Sequence, residues 1–114
     1  MELSAQMKQD LYALPVTIKA RLLGILEKLL EVEYVGGTQQ RVLYQGHLAT
    51  LADMLVNVCP AVSNVLRNRR LMFKAAPQLV QNTEYDCKDV KEALTQPVKV
   101  SENTSSDSGS TLSA

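Results

Sequence analysis

Apolar side chains return along this chain at intervals of three and four residues, the spacing that gathers successive helical turns onto one face. The pattern is most regular between Val16 and Val35. There Ile18, Leu22, Ile25, Leu29 and Val32 follow one another in that rhythm, with Leu23, Leu26 and Leu30 as a second stripe beside them. Lys19, Glu27, Lys28 and Glu31 fill the other side. Pro15 suits a helix start, and Gly36 and Gly37 supply residues able to take positive φ where a helix stops.

A second stripe runs through Tyr44, Leu48, Leu51, Leu55 and Val58, widened by Ala49, Ala52 and Val56. It predicts a long helix with Thr38 as its cap, reaching Val58 and carrying Gly46 at a cost of about 1 kcal/mol relative to Ala. Pro60 separates it from a third helix over 61–75, in which Val62, Val65, Leu66, Leu71 or Met72, and Phe73 are expected to face a core until Pro77 ends it. A thinner apolar edge of Cys87, Val90 and Leu94 predicts a further helix over 84–94, capped by Asn82 or Thr83. Upstream, Leu3, Met7, Leu11 and Leu14 suggest a short helix capped by Ser4. The segment 31–44 also admits a β-hairpin, because β-branched and aromatic residues flank the Gly36-Gly37 pair. Its polar run Thr38-Gln39-Gln40-Arg41 favours the helical reading.

The expected fold is therefore all-α: a small bundle of three to five helices around an antiparallel helical hairpin. The 114-residue length suits a single domain. Composition then divides the chain. Ser101–Ala114 holds six serines and two threonines in fourteen residues, too little apolar surface to offset chain entropy. This predicts a helical domain over 1–96 and a disordered Ser/Thr-rich tail over 97–114. Ser101, Thr104 and Ser106 in that tail are candidate phosphorylation sites for an acid-directed kinase.

Charge and chemistry exclude more than they identify. Twelve Lys plus Arg balance twelve Asp plus Glu, which removes a global electrostatic argument for nucleic acid or anionic lipid. The first fifteen residues lack the uninterrupted apolar run of a secretory signal or membrane anchor, so an intracellular setting, cytoplasmic or nuclear, is expected. In such a compartment Cys59 and Cys87 are expected to stay free rather than pair. The triplet Asn103-Thr104-Ser105 then carries no glycan. His47 is the lone histidine and is placed on a helix surface, without the ligands a metal or catalytic site needs. No phosphate loop is present. Asp53 is expected to point away from the Leu48 face, and Asp86, Asp89 and Glu92 to form the solvated side of the last helix. Hence no enzyme activity, cofactor, metal, small-molecule substrate or membrane contact is expected.

One local anomaly remains. Between residues 61 and 83 stand Arg67, Arg69, Arg70 and Lys74 and no acid, a local +4 against a chain total of zero. On a helix Arg67, Arg70 and Lys74 line up as a ridge with Arg69 beside it, able to meet phosphates or an acidic protein. The wide leucine arcs suggest a second contact surface, with Leu48, Leu51 and Leu55 as the candidate partner-binding apolar face. Together these features predict a small interaction module, an adaptor or regulatory subunit that binds another protein or a second copy of itself. The alternatives are an accessory protein that binds nucleic acid through Arg67 to Lys74, and a fragment of a helical-repeat scaffold.

Overall fold

The computed structural model describes residues 3–97. Met1, Glu2 and residues 98–114, which include most of the expected tail and its candidate phosphorylation sites Ser101, Thr104 and Ser106, lie outside the described residues. Among those described there are five α-helices and no strand: α1 (Ala5–Tyr12), α2 (Val16–Glu31), α3 (Thr38–Leu55), α4 (Pro60–Ala75) and α5 (Val80–Thr95). The all-α expectation holds.

α3 packs on α2 at one side and on α4 at the other, and α5 closes the ring against α2 and α4. α1 lies outside this four-helix ring, against α5. Leu22, Leu26 and Leu29 of α2, Tyr44, Leu48, Leu51 and Leu55 of α3, Val62, Leu66 and Phe73 of α4, and Cys87 and Val90 of α5 are buried in the interior. Each such leucine contributes about 1.5–3 kcal/mol by leaving water, so the ring is held chiefly by its apolar faces.

Ser4 caps α1 as expected, its Oγ accepting from the Met7 amide at 3.1 Å. Lys19 fixes the α1–α2 corner, its Nζ donating to the Tyr12 carbonyl at 2.8 Å and lying 4.4 Å from the Tyr12 ring centre. No hairpin forms over 31–44. A 3₁₀ turn, Tyr34–Gly36, links α2 to α3, and Gly37 follows with φ +118°, a conformation open to glycine and strained for any residue with a Cβ. Thr38 is thus the first helical residue of α3 and not its cap, the cap position being held by Gly37.

Other boundaries shift as well. α3 ends at Leu55, short of Val58, and α5 begins at Val80 rather than Glu84, extended upstream through a 3₁₀ turn at Pro77–Leu79. Asn82 and Thr83 therefore lie inside α5, and Thr83 is buried. Val80 itself packs in the core, which explains the earlier start. Cys59 and Cys87 are both free and buried.

The largest correction concerns α4. Its inward stripe runs Val62, Leu66, Arg69, Phe73, so a cation occupies a core position while Leu71 and Met72, one of which was expected inside, both face solvent.

Candidate functional site

The four cations of α4 go to different environments. Arg69, expected on the surface ridge, turns inward: its side chain is only 12% exposed, and its Nε donates to Asp86 Oδ2 of α5 at 2.7 Å. Asp86 is 4% exposed, not on the solvated side of α5 as expected. Each charge alone would be expelled from this interior by the cost of losing its hydration; together they offset that cost. The pair floors a half-open cleft of about 420 Å³ rimmed by Lys8, Asn82, Tyr85 and Asp89. Two cations and two acids line it, so the formal charges of its lining sum to zero.

Arg67 points the other way, to the outside of the α3–α4 seam. Its Nη2 reaches Asp53 Oδ1 at 3.1 Å, with the two side chains 49% and 75% exposed. One turn earlier, the buried Ser63 hydroxyl donates to the Ala52 carbonyl at 2.8 Å. These two contacts show which side of α4 meets α3. Arg70 and Lys74 follow Ser63 and Arg67 in the three-and-four rhythm, so they continue along the same seam toward the start of α3. Neither has an ion-pair partner among the described residues. Arg70 is half-buried, and its Nε is wholly out of solvent without a hydrogen bond.

Leu48, Leu51 and Leu55 are fully buried. The face expected to meet a partner is the interior of the bundle itself, where α3 packs between α2 and α4. Tyr12, Val16 and Tyr85 are exposed at scattered positions, and the other exposed large apolar residues lie toward one end. Val35 precedes α3, Val42 and Leu43 lie in its first turns, and Leu71 and Met72 in the last turns of α4. These segments share one end of the bundle, since Tyr34, Tyr44 and Phe73 pack there edge to face, ring centres 5.2 to 5.8 Å apart. Arg41 lies over the Tyr34 ring at 5.3 Å. Asp53, at the far end of α3, is the single acid between Thr38 and Leu79.

The sequence reading found this surface's cations and missed its apolar members. The signal was present: with Val62, Leu66 and Phe73 fixing the inward phase of α4, Leu71 falls on the opposite side.

Burial sets the titration of three groups in the interior. Burial raises the Tyr44 phenol far above its ordinary range, helped by the nearby Cys87, Glu84 and Tyr34, and its hydroxyl has no hydrogen-bond partner among the described residues. Burial first, then the charges of Asp86 and Glu84, pushes the Cys87 thiol up to about 12. Burial, with Asp10, also raises Cys59. Thiols held protonated in this way are poor nucleophiles. His47 is half-buried in α3, and no group of three His, Cys, Asp or Glu among the described residues is placed to hold a metal ion. No helix among them is long and apolar enough to cross a membrane.

Comparison with protein-family models, with curated proteins and with solved structures returns no match.

Proposed function

We propose that this chain is a small helical interaction module, without catalytic activity of its own, that engages another protein on the outer surface of α3 and α4. The observation that carries this reading is the exposure of Val42 (65%) and Leu71 (66%) on helices whose cations Arg70 and Lys74, without an ion-pair partner among the described residues, stand with a single acid at the far end. Scattered apolar residues on a surface need no partner. Apolar residues grouped beside unpaired charge of one sign match the make-up of a docking patch, where burial supplies affinity and charge supplies orientation. The free buried thiols suit a reducing, intracellular compartment. The nucleic-acid alternative has lost support: Arg69 is committed to Asp86 and Arg67 to Asp53, and no exposed aromatic residue lies between the remaining cations to stack on bases.

Photo-crosslinking in the source cell tests the reading. A crosslinking amino acid at position 71 should yield a discrete adduct with another protein, whereas one at position 91, on the outside of α5, should not. Equal labelling from both positions, or none from position 71, would remove the proposal.

A further inference from the structure

The five helices are not equally anchored. Within α1 only Leu11 is buried, whereas α2, α3, α4 and α5 bury three to seven residues each. Leu3, just before α1, adds a second buried anchor, and Met7 and Leu14 pack on the core in part. A helix of eight residues is also too short to hold its shape alone in water, where even about 12–15 residues are marginal. α1 is therefore helical only while it is docked, and losing its anchors costs the helix as well as the contact. The ring has no such dependence. α2 starts at Val16, beyond the corner at residues 13–15, and α2 to α5 bury their apolar faces against one another.

What α1 covers is specific. On α5, Asp86 and Ala93 are buried although they lie about 100° and 120° around the helix from Cys87, both on the same flank. Asn82 and Asp89, which share the cleft with Lys8 of α1, continue that flank outward, so α1 sits on this side of α5. It thereby borders the α4–α5 seam in which Arg69 and Asp86 are paired. Toward the other end of α1, burial and then the charge of Asp10 raise the Cys59 thiol, in keeping with a strap that reaches the start of α4. Cys59 thus lies beside the end of α1 and Cys87 inside the ring, both buried and both free.

We infer that α1 is a strap that undocks and unfolds as one unit while the four-helix ring stays folded, and that its closure seals the α4–α5 flank over Arg69 and Asp86. Lys19 marks the hinge: near the start of α2 it holds the Tyr12 carbonyl and so tethers the end of the strap to the ring. Opening is an order–disorder transition of one segment, which changes a single flank and leaves the rest of the fold intact. It does not rest on the docking reading, whose surface lies on α3 and α4.

The two thiols report on the two parts of the fold. The full chain is labelled with iodoacetamide, added so that alkylation is slow beside opening and closing, and each cysteine is followed by peptide mass; the rates then read the population in which each thiol is exposed. Cys59 should label at least about tenfold faster than Cys87 and be accelerated less by denaturant, because opening the strap exposes less surface than unfolding the ring. Leu48→Ala, in the ring, should accelerate Cys87 at least about tenfold and leave Cys59 within about twofold of its parent rate, since the ring is intact before and after the strap opens. Leu11→Ala should accelerate both thiols by a common factor of at least about ten, since the strap is released in either opening. Where either variant does not fold, Met7→Ala, at a half-buried contact, and Val62→Ala, a smaller deletion, carry the same comparison. Cys59 labelling no faster than Cys87, equal response of both thiols to the ring variant, or a Cys59 rate that the α1 variant leaves unchanged would overturn the inference.

Discussion

Arg67 and Arg69 stand two residues apart on α4, Arg67 paired with Asp53 and Arg69 with Asp86, and the two pairs are opposites in what they do. Arg67 and Asp53 meet in water across the outside of the α3–α4 seam. Arg69 and Asp86 meet inside, in the stripe that elsewhere holds Val62, Leu66 and Phe73. Two residues along a helix turn a side chain by about 200°, and that rotation decides the outcome. In water the attraction is small, because the charges are nearly as well off apart. In the interior, neither partner is tolerable without the other, so the pair ties α4 to α5 and fixes their register. Number and type of charge in α4 therefore say little; the phase of each charge relative to the apolar stripe says almost everything.

The sharpest way to break this contrast is to remove one buried partner. Asp86→Ala should destabilise the fold by about 3–5 kcal/mol, since it breaks a buried pair and takes away the carboxylate to which Arg69 Nε donates. Replacing both, Arg69→Met with Asp86→Leu, should restore stability to near or above that of the parent. Chemical denaturation measures each, and a single variant that costs no more than the double would contradict the interior placement.

An effect confined to alkaline pH comes from Cys87, which adjoins Asp86 in the chain. The ordinary thiol value is 9.0 and the folded value about 12. Between these limits the folded state therefore holds a proton that the unfolded chain has released. The contribution of this group is fully present below pH 9 and should fall as pH rises toward 12, by at most about 1.4 kcal/mol per pH unit. Denaturant midpoints across that range should decline, and Cys87→Ala should flatten the decline; a profile that this variant leaves unaltered would refute the assignment.

Smallest of all, Asp53→Ala should shift stability by about 1 kcal/mol or less, and raised salt should erase the shift. A cost approaching that of Asp86→Ala would erase the distinction between the two pairs.

Much of the fold was legible because it rests on repetition. Ile18 to Val32 and Tyr44 to Leu55 state their period several times over, and one misplaced residue does not alter the phase. The site was less legible because it rests on exceptions. Arg69 and Asp86 sit at inward positions, and a reading from one residue at a time must put each outside, since an isolated charge in hydrocarbon is prohibitive. They are readable only as a pair, and they lie 17 residues apart. Leu48, Leu51 and Leu55 illustrate the opposite error. Their spacing marks an apolar face correctly, but not whether another part of the same chain covers it, which depends on how many helices close the ring.

The edge-to-face rings of Tyr34, Tyr44 and Phe73 bear on kinetics. They hold the first turns of α3 against the last turns of α4, so the spacing between the two helices there is set before anything arrives. A ligand meets a finished surface and spends no binding energy on opening or ordering it. Encounter should then be a single step whose rate follows concentration without a plateau, and differences in affinity among ligands should reside in how long each stays.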